Sequence, residues 1–130
     1  MTTLAVLLAA LLFGGMTLFS FGFAAVLFSV YGPDLARKGI RGAFPHYYLW
    51  VCATATVAAL CAFVIDAVAG VALLCIALST VYARQGLMVR INAATDTQDT
   101  ARFKRLHGFS VVLQLIQIGL AGWVLVWIAG

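Results

Sequence analysis

Residues 4–31 contain no charged side chain and few polar ones, and nothing else in the chain limits its fold so strongly. As a helix rising 1.5 Å per residue, this stretch is about 40 Å long. That is enough to cross a hydrocarbon layer of about 30 Å with tilt or projection. A cleaved signal peptide is the competing reading. Against it, Met1-Thr2-Thr3 brings no Lys or Arg, and the apolar run is about twice the length of a signal core. The stretch is therefore read as a retained first span. Gly15, Gly22 and Ser29 recur along it every seven residues, with Ala25 near the same face. Small residues on one face let helices approach closely in lipid, where no hydrophobic force draws spans together. Close approach of a ligand is the other reading of that face.

Three further spans follow. Gly32-Pro33 ends the first helix, because proline disfavours helical backbone in the residue before it. A short polar loop with Asp34, Arg37, Lys38 and Arg41 is expected as far as Pro45. The apolar block from residue 46 to 83 is too long for one crossing and contains a single charge, Asp66. A tight turn at Asp66-Ala67-Val68-Ala69-Gly70 divides it into spans at about 46–65 and 68–83, the latter helix continuing to about residue 89 as Arg84 and Arg90 snorkel. Residues 92–100 read as a loop, with Asp99 or Thr100 capping a short amphipathic lead-in to a fourth span at about 108–128. Trp123 and Trp127 mark its far end. The expected architecture is all-α: one domain over residues 1–130, an integral membrane four-helix bundle spanning at 4–31, 46–65, 68–89 and 108–128.

The chain is 65% hydrophobic and only 9% charged, against about a quarter charged in soluble proteins. Its net charge of +4 does not indicate nucleic acid, because all eight Lys and Arg fall within residues 37–41 and 84–105. Such clusters between apolar spans report orientation and contact with anionic lipid. The first and third connections are basic, and the second holds only Asp66. The positive-inside rule then puts the first and third in the cytoplasm and both termini on the outer, periplasmic side of a bacterial cytoplasmic membrane. Cys52, Cys61 and Cys75 lie in apolar runs with no CxxC pair or Cys/His cluster, so no metal site or disulfide framework is indicated.

The fourth span carries a polar stripe. At about 100° per residue, His107, Ser110, Gln114 and Gln117 share one narrow arc, which must face other helices because lipid offers no hydrogen-bond partner. Helix order brings Thr80, Arg84 and His46 to the same end of the bundle, so Arg84, His107, Ser110, Gln114, His46 and Thr80 form a candidate polar network or ligand site. Each has an ordinary alternative. Arg84 can contact lipid phosphate, His107 can cap a loop, and His46 can belong to an aromatic belt with Tyr47, Tyr48 and Trp50. Gln114 can simply bridge helices. Two histidines at one end permit a bis-His haem or copper site on paper. Without an attachment motif, however, no cofactor is expected. No Ser/His/Asp set, carboxylate pair or glycine-rich phosphate loop is present, so no enzymatic activity is expected.

Three segments, taken in order, resemble the transmembrane protein 205-like family, whose bacterial members form a domain of unknown function. They are Phe44-Pro45-His46-Tyr47-Tyr48, Thr80-Val81-Tyr82-Ala83-Arg84 and Arg105-Leu106-His107-Gly108-Phe109-Ser110. The resemblance implies a four-helix membrane domain and directs attention to Arg84, His107, Gly108 and Ser110. The family pattern commonly has Asn seven residues after the His, where this chain has Gln114. Eukaryotic relatives are linked to platinum-drug resistance and secretion, and no mechanism carries over from them.

The expected function is that of a small membrane protein packing with itself, as a homo-oligomer, or with a larger complex in the lipid bilayer. The alternative is a transporter or binder of a small solute or metal ion through the Arg/His/Gln cluster. A haem-dependent redox enzyme is the third reading.

Overall fold

The computed structural model describes residues 1–130 as four long helices: α1 (Thr2–Tyr31), α2 (Pro33–Phe63), α3 (Ala67–Asp96) and α4 (Thr100–Ala129), each apolar and long enough to cross a membrane. They run up and down, each packing on its chain neighbours, with α4 closing against α1. The most extensive contact joins α2 to α3. It rests on small side chains: Ala55, Ala58, Ala59 and Ala62 of α2 meet the face bearing Ala69, Leu73, Ile76 and Ala77. On α1, the buried residues Ala5, Ala9, Leu12 and Met16 follow helical spacing and define one inward stripe. Outward faces carry large apolar residues such as Leu18, Phe21, Leu60, Leu78 and Val126. A protein apolar on both its inner and outer surfaces is suited to lipid as solvent, and the chain is a multi-pass membrane protein.

Three short connections join the helices. Gly32 holds φ +78°, a left-handed conformation that glycine adopts without steric cost, and Pro33 then starts α2. Residues 64–66 connect α2 to α3, and the Asp66 carboxylate caps α3 by accepting from the Ala69 N–H at 3.0 Å. Residues 97–99 connect α3 to α4, with Gln98 at φ +57° and Asp99 capping α4 through the Arg102 N–H.

The expected loops are shorter than the sequence suggests. Residues 33–45 are helical, not a loop, and Pro45 lies inside α2. Leu35, Ala36, Arg37, Lys38 and Arg41 are good helix formers, and packing on the end of α1 together with the Arg41–Asp96 pair carries the helix through Gly39, Gly42 and Pro45. The loop expected at 92–100 contracts to 97–99, because α3 continues to Asp96. The expected turn around Asp66-Gly70 sits earlier. Asp66 begins a helix instead of making a turn, and Gly70 lies within α3 against Phe63, whose ring would be 2.5 Å from a Cβ there.

Each helix, at about 45 Å for 30 residues, exceeds a hydrocarbon core of about 30 Å. Polar sequence shows which ends overrun it: all eight Lys and Arg lie toward the α1–α2 and α3–α4 connections. There α2 and α3 are clasped by Arg41, which donates to both carboxylate oxygens of Asp96 at 2.7 and 3.0 Å.

Candidate functional site

Two helices depart from α geometry where polar residues are needed. Residues Leu18–Phe23 of α1 and Ala83–Leu87 of α3 are π-helical, and these stretches contain Ser20 and Arg84. Such widened turns recur at functional positions in helices. Between them, α2 contributes Phe44-Pro45-His46-Tyr47-Tyr48.

The polar stripe of α4 is partnered one residue at a time. Gln117 is buried, and its Nε2 donates to Ser79 Oγ at 2.7 Å and Thr80 Oγ1 at 3.1 Å on α3. Both hydroxyls in turn donate to the Ile76 carbonyl. A turn away, Gln114 Nε2 donates to Ser20 Oγ on α1 and to the Tyr47 hydroxyl on α2 at 3.3 Å. Ser110, also buried, lies beside the Tyr48 hydroxyl. Arg84 is half-buried, and its Nε donates to the Pro45 carbonyl at 3.2 Å. The three short motifs noted in the sequence thus converge: Arg84 of the second meets Pro45 of the first, and Ser110 of the third meets Tyr48. No buried side-chain N or O lacks a partner.

The structure places the other candidates elsewhere. Thr80 serves Gln117 and not Arg84. His107 is exposed on α4 and stacks on Phe103, ring centres 5.3 Å apart. His46 is exposed on another face, so the two histidines border different hollows and are not brought together. Gly15 lies under the Trp50 indole, which would be 2.2 Å from a Cβ at that position. Gly22 is half-exposed, and Ser29 faces outward. Sequence reasoning overlooked Ser20, Tyr47 and Ser79. Ser20 could have been found as an isolated hydroxyl in an otherwise apolar run.

Two hollows flank this polar layer. The first, about 730 Å³, lies between α1 and α4 at the basic end. Segment Thr2–Thr17 packs on both α2 and α4, whereas Ala24–Tyr31, beyond the π-helical stretch, packs on α2 without comparable contact to α4. The parting of α1 from α4 makes the cavity. Phe19, Phe21, Phe28, Phe44 and Phe103 supply its apolar lining, Ser20 and Gln114 its inner end, and Arg37, Lys38, Arg41 and His107 its basic side. The second, about 740 Å³, is an open apolar recess on the outer face of α1 and α2, bordered by Gly15, Leu18, Gly22, Val26, His46 and Trp50. No group of three or more His, Cys, Asp or Glu side chains is placed to hold a metal ion.

Residues 7–100 match the family described as "Domain of unknown function (DUF4149)", and the chain belongs to that family. The match takes in most of α1 and all of α2 and α3, and stops where α4 begins. No curated protein and no solved structure matches the chain.

Proposed function

We propose that this DUF4149 member is a non-enzymatic component of a membrane assembly, packing through the outer face of α1 and α2 with a second copy or a larger complex. The observation that carries this reading is the recess bordered by Gly15, Gly22 and Trp50, an apolar hollow open to one side and of a size to receive side chains from another helix. Gly22, which no other helix covers, allows there the backbone approach on which helix association in lipid depends, while Trp50 over Gly15 forms one wall. The polar residues agree with it. Gln114, Gln117 and Arg84 are engaged in tying helices together, which leaves them as bundle ties, not reacting groups. In this reading the basic end faces the cytoplasm, both termini lie outside, and the membrane is the bacterial cytoplasmic one. The convergence of the three motifs also supports kinship with transmembrane protein 205-like proteins.

Native mass spectrometry of the protein, extracted gently from its own membrane, tests this reading. A defined assembly is expected for the wild type, and it is lost when Gly22→Leu fills the recess. A bare monomer under the same conditions would overturn it. So would a Gln114→Leu protein that keeps its assembly but loses a measured activity.

The cavity between α1 and α4 favours a second reading, that the chain binds or passes a small solute. Its volume lies within the range of about 300–1,000 Å³ typical of small-molecule sites. A metal ion fits it poorly, because His107 is the sole imidazole, thiol or carboxylate side chain in its lining. Arg84 is not in that lining, so this reading rests on His107 and Gln114.

A further inference from the structure

We infer that the cavity between α1 and α4 is a site for one anionic phospholipid, with an acyl chain in the aromatic interior and the phosphate at Arg37 and Lys38. The inference rests on the second reading above, that this cavity binds a ligand, and it names the ligand's class.

Charge is confined to one end of the cavity. On α4 the lining runs from Phe103 through His107 and Val111 to Gln114 and Leu115, a rise of about 18 Å. On α2 it runs inward from Arg37 and Lys38 through Ile40 and Arg41 to Phe44. The outer end therefore carries the cations and the wall beyond it is largely aromatic and aliphatic, with Ser20 and Gln114 bonded to each other at its innermost end, which matches an amphiphile bound head outward. No acidic side chain lines the cavity. Of the three cations, Arg41 is committed to Asp96, while Arg37 and Lys38 are exposed and make no ion pair within the chain. Uncommitted cations beside an apolar cleft between membrane helices suit a lipid phosphate.

The opening is also suited to a lipid. Ala24–Tyr31 stands off α4, so the cavity is bounded by helices that part sideways, toward the bilayer, and a chain can slide in without leaving the membrane. That segment of α1 has no buried residue, and Val26, Phe28 and Val30 are exposed at the same level as the basic residues of α2. An acyl chain beside Phe28 and Ala24 would cover apolar surface that the bundle itself leaves open.

The test is native mass spectrometry of protein reconstituted in vesicles of equal phosphatidylglycerol and phosphatidylcholine, then released into detergent. One retained phosphatidylglycerol per chain is expected, preferred over phosphatidylcholine by on the order of tenfold. The exposed-charge variant Arg37→Gln/Lys38→Gln should remove the preference, while Ala24→Phe and Val111→Phe, which fill the interior from different helices, should each reduce retention of any lipid. Excess inorganic phosphate should leave the lipid in place. Equal retention of both lipids by the wild type, with loss in the filled variants, would keep the cavity as a binding site and overturn the anionic assignment. Displacement by phosphate would assign the cations to a free anion and overturn the lipid. No retained mass, or retention unchanged in both filled variants, would remove the cavity reading as well.

Discussion

Arg84 and Pro45 hold α3 against α2 through one hydrogen bond, the guanidinium Nε donating to the proline carbonyl at 3.2 Å. Both partners are irregular. Arg84 sits in a π-helical stretch, and Pro45 withholds the N–H that a helix would otherwise use. A bond from a charged donor contributes about 1.5–3 kcal/mol, so Arg84→Ala should lower stability by about that amount. Arg90→Ala, at an exposed position on the same helix, should change it by less than about 0.5 kcal/mol. Thermal unfolding in detergent measures both, and equal effects would refute a specific role for the Arg84 contact.

Gln117 and Thr80 make a second comparison. Gln117→Leu strands the Ser79 and Thr80 hydroxyls only partly, because each also donates to the Ile76 carbonyl. The expected loss is about 0.6 kcal/mol, the average for hydrogen bonds between membrane helices, and no more than about 1.7 kcal/mol. Gln117→Leu with Thr80→Val should cost less than the sum of the separate changes, because both remove the same contact. Strict additivity in the double-mutant cycle would mean that the pair does not interact.

Adjacent glycines on α1 should behave in opposite ways. A Cβ on Gly15 would come within 2.2 Å of the Trp50 indole, whereas a Cβ on Gly14 meets nothing within 4 Å. Gly15→Ala must displace the indole and should destabilise by about 1–3 kcal/mol. Gly14→Ala should stabilise by about 0.5–1 kcal/mol, because alanine is the better helix former. Indole fluorescence should shift only in the first. A Gly15→Ala protein as stable as its Gly14→Ala counterpart would place Trp50 elsewhere.

Asp66 gives the connection between α2 and α3 a dependence on pH. The Ala69 N–H, followed by the Trp127 indole, holds its carboxyl below the ordinary carboxylate value. A group depressed on folding stabilises the fold above its unfolded value of about 3.9, and that contribution is lost as pH falls through the folded value. Melting temperature should therefore decline in acid below about pH 4. Asp66→Asn, which still caps the helix, should flatten that decline. The same acid slope in the variant would assign it to another carboxylate.

The four crossings were legible because length and apolarity decide them, and the α4 stripe because hydrogen-bonding groups cannot face lipid. The partners of the stripe were less so. Tyr47 and Tyr48 read as interfacial aromatics, yet their hydroxyls meet Gln114 and Ser110 inside the bundle, a distinction made by helix rotation and not by residue type. The extensions of α2 and α3 past the apolar runs were hidden because residues 33–45 and 92–96 lack membrane-type hydropathy. They are held by propensity and by the Arg41–Asp96 clasp, which joins positions 55 residues apart. Nothing in the sequence marks the π-helical stretches, since the shift to longer hydrogen-bond rings responds to neighbouring helices. The parting of α1 from α4 follows the first of them, and so does the cavity.

The brevity of the connection at residues 64–66 bears on how the chain sits in a membrane. Three extended residues reach only about 10 Å, far less than a bilayer's thickness. Once α2 and α3 are helical, the two ends joined by this connection must lie on the same side of a bilayer. The two therefore occupy a bilayer as one antiparallel hairpin with Asp66 at its tip. The carboxylate that caps the finished helix thus also marks the turning point of two alanine-rich helices, and if that tip crosses a bilayer its charge crosses with it.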